Sequence, residues 1–232
     1  MKIFSKPIKL IIGLLLLPTA FAVFWAFAGV AWDLITGWET TIWFLIGAGI
    51  YLFVHRYIYS FSRLYVFAHE AAHALAAMFC GHKVDSMDVG KESGNVKISG
   101  VNTLILLAPY GVPLLAFMTV FAYFILNLFI ADLDKRIFIL FFGFFTAHHL
   151  IHTYKALTEA QQSDVKMAGG NVFSFSFIVL LNAIIIMMLL ELFFPGVVPV
   201  WGILKKIISD TADFWIWAFK SLYRFTIWAG GA

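Results

Sequence analysis

The chain has 232 residues, of which 62% are hydrophobic and only 12% charged, with a mean hydropathy of +0.91. Such a charge share is roughly half of what a soluble domain uses to cover its surface, which excludes a cytosolic globular enzyme and a disordered tail. A net charge of +3 is too small to mark a nucleic-acid partner, and the single cysteine, Cys80, excludes an intrachain disulfide framework and a CxxC motif.

What remains is an integral membrane protein, and its charged residues punctuate six apolar stretches. The first lies between Lys9 and Asp33. Lys2, Lys6 and Lys9 ahead of it, and Ala20-Phe21-Ala22 within it, give it the look of a secretory leader. The apolar run continues to Trp32, however, where a cleaved leader would meet polar sequence, so an uncleaved first helix is expected. Basic residues before it and the acidic segment from Asp33 to Glu39 after it place the N-terminus in the cytoplasm.

Glu39 to Arg56 and Arg63 to Lys83 enclose the second and third stretches. Val84, Met87 and Val89, then Val96 and Ile98, predict a short β-hairpin turning at Glu92-Ser93-Gly94-Asn95. Lys97 to Asp132 is the longest stretch, and its Pro109 and Pro113 predict a kink or a helix entered by a broken segment. Arg136 to Lys155 and Lys166 to Glu191 make the fifth and sixth, with a polar loop from Thr158 to Asn171 between them. From Trp201 to Trp228, the residues Leu204, Ile207, Ile208, Trp215, Phe219 and Leu222 fall on one helical face, flanked by Lys205, Lys206, Lys220 and Arg224. That pattern predicts an interfacial helix, with a seventh crossing as the alternative. The expected fold class is an all-α membrane protein of about six transmembrane helices, a hairpin after the third, and a C-terminal amphipathic helix. One polytopic domain covers 1–200 and the appended helix 201–232.

The third stretch contains His69-Glu70-Ala71-Ala72-His73. Helical residues four apart lie one above the other, so both imidazoles reach one metal ion. Glu70, beside His69, reaches a metal-bound water without ligating. This is the zinc-peptidase HExxH arrangement. Ionisable groups in a crossing helix are costly and mark function. The bland alternative is a polar seam between helices. Zinc needs a third protein ligand. Phe79 occupies the position where a metzincin has histidine, and Glu92 falls in the expected hairpin. Asp85, Asp88, Asp164, His82 and the group His148, His149 and His152 stay open.

HEAAHAL in a membrane helix, LAPYGVP on the next, and HHLIHTYKALTEAQQSDVKMAGG after it resemble the site-2-protease class of intramembrane zinc metallopeptidases, in its compact bacterial branch. The resemblance spans roughly residues 60–175. It implies His69, His73 and Asp164 as ligands of one Zn²⁺ per chain and Glu70 as general base. It also implies a substrate cleft partly formed by the helix of Pro109 and Pro113. Two departures stand out: Asp164 is followed by Val165 in place of glycine, and the Asn-Pro residues ahead of the Asp are missing.

His148 and His152 repeat the four-residue spacing. Orienting ligands or an oxyanion, polar packing between helices, and completing a metal site are the competing roles for His148, His149 and His152. The hairpin offers an edge for strand addition by a substrate. The expected activity is hydrolysis of peptide bonds in membrane-associated substrates by metal-activated water. A non-catalytic metal-binding scaffold and a di-iron membrane oxidoreductase are the alternatives. The expected partners are the bilayer, a membrane-protein substrate and regulatory proteins, and the expected location is a bacterial inner membrane.

Overall fold

The computed structural model describes residues 5–36, 38–158 and 163–230, so Gln162 of the Gln-Ser-Asp element lies outside the described residues. Helices α1 (Lys6–Thr36), α2 (Trp38–Tyr57) and α3 (Ser62–Phe79) lead into the hairpin β1 (Val84–Val89) and β2 (Gly94–Ile98). Then follow α4 (Thr103–Gly111), α5 (Leu114–Asn127), α6 (Lys135–Thr158), α7 (Ser163–Ala168), α8 (Asn171–Phe193) and α9 (Val200–Gly230).

Among the described residues α1, α6 and α8 are each long and apolar enough to cross a membrane. The pairs α2 with α3 and α4 with α5 reach that standard together, bent by 119° and 72°, which gives three to five spans where sequence suggests about six. The third expected crossing falls short by itself because α3 puts Arg63, His69, Glu70 and His73 into 18 residues. The α2–α3 reversal is made at Phe61, which takes a left-handed φ of 54° and packs its ring against Tyr51, Tyr59 and Phe144. Large apolar side chains such as Phe21, Phe24, Trp25 and Phe129 point outward, as the bilayer allows.

Close helix contacts rest on small residues. A Cβ on Gly47 of α2 would fall on the Leu140 carbonyl of α6, and one on Gly143 of α6 would fall on the Phe44 carbonyl of α2. The two helices thus touch backbone to backbone at reciprocal glycines. On α1, a Cβ at Gly13 would lie 2.7 Å from the Phe173 backbone of α8, and Ser176 donates to the Gly13 carbonyl at 3.1 Å. One apolar core joins α1, α5, α6, α8 and α9 around Ile139, Phe142 and Met187. A second, around Leu107, Tyr110, Ala168 and Ile178, packs α4, α7 and α8 together. α9 seats Ile207 in the first core, while Ile208, Phe219 and Leu222 stay exposed.

The hairpin pairs Val84 with Ile98, Met87 with Val96 and Val89 with Gly94, with an irregularity at Asp85. Its turn is therefore Gly90 to Ser93, two residues earlier than the alternation suggests, and Gly94 belongs to β2. The register follows from the helix beneath. A Cβ at Gly94 would lie 2.6 Å from Glu70 Cγ and 2.7 Å from Val66 Cγ1, so a residue without a side chain has to sit there.

Candidate active site

α3 presents His69 and His73 on one face, and α7 brings Asp164 to them across the bundle. Asp164 Oδ2 lies 3.7 Å from His69 Nε2 and 3.5 Å from His73 Nε2. One ligand atom from each residue falls within a 4.8 Å cluster, the single such group of His, Cys, Asp and Glu among the described residues. The Asp–His separations suit a tetrahedral zinc site, where bonds of about 2.0–2.1 Å put neighbouring ligand atoms about 3.4 Å apart. Burial pushes the Asp164 carboxyl up, but hydrogen bonding and charge from the two imidazoles outweigh it and hold it below the usual carboxylate range.

The break between α4 and α5 supplies the supporting contacts. In a regular helix the Ile105 carbonyl accepts from the N–H of residue 109, but Pro109 has none. The freed carbonyl pairs with His73 Nδ1 at 2.8 Å, which aims Nε2 at Asp164. The Tyr110 carbonyl is freed in the same region, because Leu114 N–H bonds to Val112 instead. It accepts from Asn182 Nδ2 at 2.6 Å and from Thr153 Oγ1 at 3.3 Å. Tyr110 then donates its hydroxyl to Asp164 Oδ2 at 3.1 Å, the same oxygen that faces both histidines. Pro109 and Pro113 therefore shape the backbone of the site; α4 lines the cleft through Ile105 and Leu106, while Pro109 itself lines the small cavity beside His69.

That cleft has a volume of about 360 Å³ and is lined by His69, Glu70, His73, Asp164 and the β2 residues Gly94 to Val96, among others. Glu70 is buried, 8% exposed, and held under the hairpin by its contact with Gly94. α7 is tied down from α8 and from α1. Ser174 Oγ donates to the Val165 carbonyl at 3.0 Å, and Lys9 Nζ donates to the Ala168 carbonyl at 2.5 Å and to Thr103 Oγ1 at 2.8 Å.

The other sequence candidates lie elsewhere. Asp85, Asp88 and Glu92 are exposed on the hairpin, and His82 packs against Gly100. His148, His149 and His152 stand on α6 behind His69, where they line a separate small cavity with Pro109 and Tyr65. They bring no third ligand atom into a common cluster, which leaves the di-iron arrangement without a centre among the described residues. Sequence reasoning passed over Tyr110, Asn182 and Lys9. Asn182, a polar residue within the apolar α8, was the one with a readable signal.

The model of the Peptidase M50B-like family matches residues 42–229, and the chain belongs to that family. Neither a curated protein nor a solved structure matches it. Family membership and the long apolar helices together mark an integral membrane protein of metallopeptidase type.

Proposed function

We propose that this M50B-like family member is a zinc endopeptidase that cuts peptide bonds in membrane-associated substrates, with His69, His73 and Asp164 as ligands of one ion and Glu70 as general base. The observation that carries the reading is the convergence of two imidazole Nε2 atoms and one carboxylate oxygen beside a buried glutamate. The donor set fits zinc: two imidazole nitrogens and one carboxylate oxygen would hold the ion as its three protein ligands. When bound, Zn²⁺ supplies Lewis acidity to the scissile carbonyl and lowers the pKa of water.

The chain's own groups do the rest. Ile105 and Tyr110 hold His73 and Asp164 in orientation. Glu70 takes a proton from the attacking water as its oxygen bonds to the carbonyl carbon, and returns it to the amine nitrogen as the C–N bond breaks. A helical peptide bond is shielded by its own hydrogen bonds, so the substrate unwinds to enter. The β2 segment on the cleft wall suits an extended strand laid beside it. Lys6 and Lys9 at the start of α1 support a cytoplasmic N-terminus in a bacterial inner membrane. Regulatory partners would act through the loops or the exposed half of α9.

The test is Glu70→Gln in the full chain, reconstituted in lipid. It keeps one zinc per chain and loses cleavage of a membrane-spanning peptide by about 10²–10⁴-fold. Cleavage at the wild-type rate refutes the assignment.

A further inference from the structure

The two metal-facing histidines are not equivalent. His73 donates its second nitrogen to a backbone carbonyl, whereas His69 Nδ1 is buried with no partner. A histidine ligand almost always gives its other N–H to an acceptor. Three of the four buried side-chain polar atoms without a partner among the described residues are imidazole nitrogens: His69 Nδ1, His148 Nε2 and His152 Nε2. Their three residues line one cavity behind the site.

The cavity has about 20 Å³ of room. A buried water needs about 10–15 Å³ of such space and two to four polar partners, so the room fits one. His148 and His152 are 2% and 8% exposed, and their rings stand 4.7 Å apart. Tyr65 stacks on His152 at 4.3 Å and meets the His69 ring at 5.6 Å, which fixes the rings around the space. Neighbouring histidines are already engaged. His149 Nε2 pairs with Asn182 Oδ1 at 2.7 Å, while His55 pairs with Tyr51 and Lys155 at 3.0 and 2.9 Å.

We infer that one water occupies this cavity, bonded to His69 Nδ1, His148 Nε2 and His152 Nε2, and that His148 and His152 are positioning residues for the His69 ligand. The hydrogen bonds balance. His69 Nδ1–H donates to the water oxygen, and the water's two hydrogens go to His148 and His152, each carrying its own proton on Nδ1. The positioning role rests on His69 being a metal ligand; the water itself does not.

Two measurements on the full chain test this. The first is Zn²⁺ affinity by chelator competition. Removing a partner that orients a ligand costs about 10–100-fold in metal affinity. His148→Leu with His152→Leu should show that loss, and His148→Gln with His152→Gln, which keeps a hydrogen-bonding atom near Nε2, should recover most of it. Wild-type affinity in the Leu pair, or equal loss in both pairs, overturns the positioning role. The second is a structure of the zinc-free wild-type protein with ordered waters resolved, which needs no variant to fold. Density within hydrogen-bonding distance of all three nitrogens supports the inference, and a cavity that is dry or filled by lipid overturns it. A wild-type chain that binds no zinc defeats the proposed function and the positioning role, yet leaves the water density to be found.

Discussion

Gly94→Ala puts one methyl group against Glu70, the proposed general base, without touching His69, His73 or Asp164. The added Cβ would lie 2.6 Å from Glu70 Cγ, 2.7 Å from Val66 Cγ1 and 2.9 Å from the Asp88 carbonyl. Ordinary carbon contacts need about 3.5–4.0 Å, so roughly 1 Å must be found. Val66 is β-branched and stiff at χ1, and Asp88 meets the methyl with backbone, so the shift falls on Glu70 or lifts the hairpin. A displacement of 1 Å at a reacting group costs about 10²-fold in rate. The expected result is that loss in single-turnover cleavage of a membrane peptide, with zinc stoichiometry unchanged. Gly29→Ala, where the new Cβ meets nothing within 4 Å, is the control. Cleavage by Gly94→Ala within a factor of about two of wild type would show that the hairpin does not position Glu70, and the reasoning from that contact would fail.

Pro109→Ala restores an N–H that competes with His73 for the Ile105 carbonyl. Zinc affinity should fall by about 10-fold while the chain stays folded, as read by chelator competition and circular dichroism. Tyr110→Phe removes the hydroxyl from Asp164 Oδ2 and should weaken zinc binding to a similar degree; an unchanged affinity would show the hydroxyl to be idle. Gly143→Ala drives a methyl into the Phe44 carbonyl and should destabilise the protein by about 1–3 kcal/mol in detergent unfolding. Gly49→Ala on α2, which has open space at that position, should leave stability unchanged.

Much of the scaffold can be read from local pattern. The HExxH spacing places His69 and His73 on one helical face, and the alternation around Val84 to Ile98 gives the hairpin. The resemblance to site-2 proteases singles out Asp164, which α7 delivers beside the two rings. Hidden features depend on contacts between distant segments. The hairpin register is set by a collision with Glu70 and Val66, which no turn propensity within residues 84–98 contains. Pro109 reads as a kink, but the fate of the carbonyl it frees depends on α3, more than thirty residues earlier. Phe61 gives no sign of a reversal, since glycine is the usual residue at a positive φ and an aromatic cluster holds this one.

The matched region begins at residue 42, yet Lys9 on α1 reaches the C-terminal carbonyl of the helix that carries Asp164, and Gly13 lets α1 lie flush on α8. A fragment trimmed to residues 42–229 would leave α7 without the ammonium that anchors it and α8 without its seam. The opening helix thus helps to hold the segment that carries Asp164, from outside the matched region.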